Sequence, residues 1–156
     1  MKEVTVFVPE QRIAEFYRRF GEFMSETEEF TAASELLSGD RVPAWVTDPG
    51  AVHLAQKIWS NLSAAGQTAL GLLVDGALEE RPKRFTPREL VEHIDHPNGV
   101  SGVAGVFGSA GRAVKKAGAP RYLSDDGDPW HFVWDWDGTQ YWMAPQVAAL
   151  FREAGV

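Results

Sequence analysis

The sequence predicts an α+β fold: a short strand-helix segment, then a helical domain that closes on an antiparallel hairpin. Three observations predict it. Apolar residues recur at spacings of three and four in several separate stretches, Thr86-Pro87-Arg88-Glu89 is a strong helix start, and alternating aromatic residues flank Asp137-Gly138. With 156 residues, 44% of them apolar and 24% charged, the chain is sized for one compact domain or a small domain with an appended segment. It has no cysteine, which excludes disulfides, thiolate catalysis and cysteine zinc sites, so stability must come from packing. No apolar run approaches the roughly 18 residues of a membrane helix, and Met1 leads into a strand-like segment without a signal-peptide pattern. The expectation is a cytoplasmic protein with no membrane partner.

The first segment, residues 1–47, opens with Val4-Thr5-Val6-Phe7-Val8, a β-branched and aromatic strand that stops at Pro9. Ile13, Phe16, Tyr17, Phe20, Phe23 and Met24 then mark the apolar face of an amphipathic helix. One strand and one helix cannot bury so much aromatic surface, so this segment is expected to dock on the rest of the chain or on a second copy. Phe16, Tyr17, Phe20 and Phe23 are its candidate interface. A short helix over Glu28 to Leu37 and a connector over Pro43 to Asp48 complete it.

The second unit, residues 48–156, starts at Asp48-Pro49, an expected helix cap followed by proline. Val52, Ala55, Ile58, Trp59 and Leu62 form one stripe to about Asn61. Ser63 then caps a helix carrying Leu70, Leu73, Val74 and Leu78. Arg81 to Phe85 is too short and basic for a helix and reads as strand-like. Thr86 and Glu89 form a capping box around Pro87, opening a brief helix with Leu90, Val91 and Ile94 that ends in the Pro97-Asn98-Gly99 turn. From Val100 to Lys116, Val100, Val103, Phe107, Ala110 and Val114 define a packed face. Ser101, Gly105, Gly108, Arg112 and Lys115 define an open one, and Gly118 ends the helix. Each interior glycine costs about 1 kcal/mol against alanine, so tertiary contacts must hold this helix.

Trp130 to Trp136 and Thr139 to Met143 read as a hairpin around a two-residue Asp137-Gly138 loop, which pairs Trp136 with Thr139 and Trp134 with Tyr141 on a core-facing side. Asp135, Val133, Gln140 and Trp142 take the other side. Pro145 opens a terminal helix with Val147, Leu150 and Phe151.

Helix, short extended piece, capped short helix, turn, helix and hairpin is the layout of a winged helix-turn-helix domain. The chain also resembles an actinobacterial family of unknown function with a winged-helix-like C-terminal half. The residues that carry the resemblance are Val8-Pro9-Glu10, Ile13-Ala14-Glu15-Phe16-Tyr17, Phe20-Gly21, Phe85-Thr86-Pro87-Arg88-Glu89-Leu90 and Tyr141-Trp142-Met143. It implies a fold more than an activity.

Fifteen Lys and Arg against 22 acids give a net charge of −7, most of the deficit lying before Gly50. Later, cations bunch at Arg81, Lys83, Arg84 and Arg88 and again at Arg112, Lys115, Lys116 and Arg121, and such patches act locally because charge is screened over about 8–10 Å. The helix from Val100 to Lys116 holds the recognition position. That makes Ser101, Ser109, Arg112, Lys115 and Lys116 candidate contacts to double-stranded DNA, with Lys83, Arg84 and Arg88 flanking on phosphates. Gly105 and Gly108 offer base edges no side chain, so weak sequence preference is expected. The rival reading is a protein-interaction or homodimerisation module on the same scaffold, suggested by the acidic overall charge, the acidic hairpin tip and the aromatic first helix.

No catalytic constellation stands out, and no enzyme activity or cofactor is expected. His93, Asp95 and His96 are too few and too local for a metal site. Asp125-Asp126-Gly127-Asp128 lacks the spaced ligands and final glutamate of a calcium loop. His53 and His131 have no nucleophile motif nearby, and Trp130, Trp134 and Trp136 read as core.

Overall fold

The computed structural model describes residues 41–94, 96–124 and 127–156, the single residues Pro9 and Ile13, and the backbone of Phe30, Thr31, Leu36 and Leu37. Its fold is α+β. Among the described residues, five helices, α1 (Ala51–Asn61), α2 (Ala64–Ala77), α3 (Pro87–Val91), α4 (Val100–Ala117) and α5 (Pro145–Glu153), supply most of the core. A 3-10 turn, Ala44–Thr47, precedes them.

Local chemistry explains the helix boundaries. Ser63 Oγ accepts from the Gly66 amide at 3.2 Å, which starts α2. At α3, Glu89 N donates to Thr86 Oγ1 while Thr86 N donates to Glu89 Oε2, completing the capping box. These bonds favour the ionised acid and hold the Glu89 carboxyl below its ordinary pKa. Gly118, with φ of 88°, ends α4 in the left-handed region that glycine tolerates. Helix α1 packs on α4 and α5, α2 packs on α5 and α4, and α3 packs on α4. Ile58, Leu70, Leu73, Leu90, Val103 and Phe151 are fully buried between them.

The strands are short. β1 (Phe30–Thr31) pairs in parallel with β4 (Arg121–Leu123), which pairs antiparallel with β5 (Pro129–Trp130). β2 (Leu36–Leu37) pairs antiparallel with β3 (Val42–Pro43). β6 (Asp135–Trp136) and β7 (Tyr141–Trp142) form a hairpin in which Trp136 faces Tyr141 and Asp135 faces Trp142. Phe85, just before α3, joins this hairpin through reciprocal 2.8 Å amide-carbonyl bonds with Tyr141.

Several expectations are corrected. The strand Val4–Val8 and the amphipathic helix, with Phe16, Tyr17, Phe20 and Phe23, lie outside the described residues, although Ile13 itself is helical and exposed. In place of a helix over Glu28 to Leu37, the backbone at 30–31 and 36–37 is extended, because it finds strand partners that helix propensity cannot register. The connector is anchored by Trp45, which is buried, as is Val42 just before it. Helix α1 begins at Ala51 with no side-chain cap, and Asp48 contributes its carbonyl to Ala51 N instead. Leu78 and Val100, expected in the core, sit exposed at helix ends, where the last or first turn rotates out of the interior.

The hairpin register differs from expectation by two residues. Asp137 Oδ1 accepts from Thr139 N, Thr139 Oγ1 and Gln140 N, so the loop closes over four residues instead of two. A two-residue shift preserves which side each residue faces, so the predicted sidedness of Trp136, Tyr141 and Trp142 holds. Nor is Trp130 to Trp136 one strand. Phe132 has φ of 51°, and the chain bends there, with Val133 N donating to His131 Nδ1 at 3.0 Å. Among the described residues, no helix is long and apolar enough to cross a membrane.

Candidate functional site

Successive side chains of a strand point to opposite sides, and β7 uses this to separate two environments. Tyr141 turns toward α4 and stacks on Phe107 with ring centroids 4.0 Å apart. Trp142 turns the other way and lies beneath the Arg84 guanidinium, 4.1 Å from its ring centre. Arg84 also donates to Asp137 Oδ2 at 3.2 Å. Lys83 is exposed and lies over the Phe85 ring at 4.6 Å. Arg84 therefore occupies the side of the hairpin away from α4.

On α4, Ser101, Arg112, Lys115 and Lys116 are exposed and Ser109 is half-buried; Arg88 is exposed on α3. Ser101 Oγ donates to the Asn98 carbonyl at 2.7 Å, reinforcing the turn that opens α4. Lys115 and Lys116 also sit in the last turn, where cations complement the helix dipole. The candidate interface residues Phe16, Tyr17, Phe20 and Phe23 lie outside the described residues.

One shoulder of α4 borders a cleft of about 410 Å³. Its floor is Ala104, Gly108 and Gly111, with Arg112 and Lys115 at the rim. The opposite wall is Trp130, His131, Trp134 and Trp136, with Arg121 beside them. Glycine is what leaves the floor open: a Cβ at Gly108 would meet nothing within 4 Å, and one at Gly111 would sit 3.9 Å from His131 Nε2.

The wall is held by aromatic contacts. Trp130 stacks on His131 at 4.4 Å and meets Trp134 edge-on at 6.0 Å, and Trp134 lies 5.4 Å from Phe107. Trp130 Nε1 donates to the Trp134 carbonyl at 2.9 Å, which fastens the bend at Phe132. His131 is buried, and burial reinforced by the Arg121 charge pushes its pKa down to about 3, so the ring is neutral at pH 7. Because Nδ1 accepts from Val133 N, the proton resides on Nε2. His131 Nε2 and Trp134 Nε1 are both buried donors without a hydrogen-bond acceptor. Leaving such a donor unpaired costs about 1–3 kcal/mol.

The lining is one-sided in its chemistry. Every nitrogen it presents belongs to arginine, lysine, histidine or tryptophan, and no carboxylate stands among the described lining residues. Trp134 is a buried core residue and Trp130 and Trp136 pack against the core, as their aromatic pattern predicts, while His131 has no sequence motif that marks it. The missed signal was a neutral-to-basic aromatic run, Trp130-His131-Phe132-Val133-Trp134, placed opposite a helix face of glycines. No group of three or more His, Asp or Glu able to hold a metal occurs among the described residues. His96 instead accepts from Asn98 N at 3.2 Å.

A family model, described as a family of unknown function (DUF6416), matches residues 52–156 of the 156. The chain belongs to this family. The match runs from α1 to the end of the chain, so the cleft, the hairpin and the α4 face all lie within the family's common region. No curated protein and no solved structure matches the chain.

Proposed function

We propose that the chain is a DNA-binding protein, not an enzyme, that lays α4 of a winged-helix domain (residues 48–156) against duplex DNA with weak sequence preference. The observation that carries the reading is the Phe85–Tyr141 pairing. It sets the piece before α3 beside the last hairpin strand, which supports reading helix, extended piece, α3, α4 and hairpin as a winged helix. On this reading α4 is the recognition helix. Its outward stripe runs from Ser101 past Gly105 to Arg112 and Lys116, and neither of these two cations forms an ion pair among the described residues.

The contacts expected from this reading are Arg88, Arg112, Lys115 and Lys116 on phosphates, with Ser101 and Ser109 nearest the bases. Arg84 and Lys83 are at most outlying contacts, because Arg84 is engaged on the far side of the hairpin. The hairpin tip is unsuited to phosphate: hydrogen bonds from Thr139 and Gln140, then Arg84, hold the Asp137 pKa near about 2, so it stays ionised.

Titration with random-sequence duplex DNA at several salt concentrations tests the reading. Four phosphate contacts predict that log affinity falls against log salt with a slope of about −4. Arg112→Glu combined with Lys116→Glu should weaken binding at least about tenfold at low salt, with the helical circular dichroism signal unchanged. Absence of binding at low salt, or an affinity indifferent to salt, overturns the proposal.

A further inference from the structure

We propose that the cleft between α4 and the Trp130–Trp136 segment receives an unpaired base of a nucleic acid whose phosphates lie along α4. The strand is brought there by α4, so this site rests on the DNA reading above. Trp130 and Trp136 are half-buried on the cleft wall, with Trp136 leaning on Tyr141 at a ring separation of 4.2 Å and Trp130 braced on His131. Across from them the α4 floor is Ala104, Gly108 and Gly111, where a Cβ at Gly108 would meet nothing within 4 Å. A slot with an aromatic wall and a floor of small residues suits a flat ring. Its volume of about 410 Å³ lies at the small end of ligand cavities and holds a single base, not a run of them.

Charge distinguishes a base from other flat molecules. The lining exposed in the slot is mainly carbon, so an ionised group pushed into it loses its water, which opposes a cation and a carboxylate alike, whereas a neutral ring carries no such cost. The charge on offer stands at the mouth. Arg112 is exposed, forms no ion pair among the described residues, and lies one helical turn beyond Gly108 on the same face of α4. A neutral ring tethered to an anion satisfies both the slot and its mouth, and a nucleotide is such a molecule. A free uncharged ring leaves Arg112 unused.

Arg112 belongs both to the rim and to the stripe proposed for phosphates, so the slot opens beside the path of the strand. A base still paired inside a duplex is held in its stack and cannot enter. The occupant is therefore a base already out of the stack, as at a single-nucleotide bulge.

The test is a pair of titrations of the full chain at low salt, one with a fully paired duplex and one with the same duplex carrying a single bulged adenosine. Nuclear magnetic resonance of the indole N–H groups serves as a second readout. Stacking of the extra base on tryptophan predicts that the bulged duplex binds at least about tenfold more tightly than the paired one. It should also move the Trp130 and Trp136 indole resonances, which the paired duplex leaves in place. Gly108→Phe, which fills the slot, and Trp136→Leu, which removes the ring and keeps an apolar side chain, should each bring the ratio of the two affinities to about one. Equal affinities in the unaltered chain, indole resonances that the bulge does not move, or a ratio unchanged in both variants overturns the proposal. If one variant fails to fold, the other decides together with the resonances. Binding of paired duplex with no preference for the bulge removes the cleft site and leaves the DNA reading standing. Binding of the bulged duplex alone removes the duplex reading and keeps the cleft, and binding of neither removes both.

Discussion

The two sides of the β6–β7 hairpin carry similar residues and put them to different ends. On the Trp142 side, cations meet carboxylates: Arg84 pairs with Asp137, and Arg41 donates to Asp135 at 3.0 Å. On the Tyr141 side, Arg112, Lys115 and Arg121 surround an aromatic cleft that no described carboxylate lines. The Arg84–Asp137 pair is exposed and of a kind worth about 0–1 kcal/mol, whereas Arg41 reaches down to the buried Asp135 carboxylate. On the cleft side, Arg112 forms no ion pair among the described residues, so its field reaches beyond the chain. Basic residues that read alike along the sequence thus differ in what they touch, and the difference between Arg84 and Arg112 follows strand alternation at Tyr141 and Trp142.

Truncation should separate the two sides most strongly. Phe107 is buried, stacked on Tyr141 and tilted against Trp134, so Phe107→Ala should cost about 3–5 kcal/mol in urea unfolding. Trp142→Ala, on the half-buried side, should cost well under half of that. Equal losses would mean that the hairpin is packed from both faces alike.

Acid should act through the cleft side. The folded-state pKa of His131 is pushed to about 3 by burial and then by Arg121, while the unfolded chain has the ordinary value of 6.5. Between those values the unfolded state binds a proton that the folded state refuses. Stability is therefore full above pH 6.5 and falls as pH drops toward 3, by about 1.4 kcal/mol per pH unit. His131→Phe should flatten that slope in denaturant titrations, and an unaltered slope would remove His131 as its source.

The glycines of α4 give the finest contrast. A methyl at Gly102 would come within 2.0 Å of His96 Nδ1, so Gly102→Ala should destabilise by about 1–3 kcal/mol. A methyl at Gly108 meets nothing within 4 Å, so Gly108→Ala should raise stability by about 1 kcal/mol through helix propensity alone. Thermal melts of the two variants should move in opposite directions.

Much of the fold was legible because it is written in local chemistry. The Ser63 cap, the Thr86–Glu89 box, the packed face of α4 from Val103 to Val114 and the glycine stop at 118 each depend on residues within a few positions of one another. Legibility failed where distant partners decide. Residues 30–31 are extended because β4 lies beside them, and the hairpin loop is four residues long because the Asp137 carboxylate gathers three donors. The DNA-facing candidates on α4 could be named from periodicity, since exposure of 101, 105, 108, 112 and 115 follows from burial of the opposite stripe. The cleft could not, because it exists only when Gly108 and Gly111 meet His131 and Trp134 across the bend at Phe132. Nor could Arg84 be separated from Arg112 before the side of β7 that each occupies was known.

The central claim is that α4, not the hairpin with its arginine, is the surface that meets DNA. Backbone amide chemical shifts recorded while random-sequence duplex is added at low salt test it most directly. The account predicts that perturbations concentrate on the exposed stripe from Ser101 to Lys116 and on Arg88, and fade as salt is raised. Shifts confined to Arg84, Asp137 and Trp142, or none at all, would contradict it.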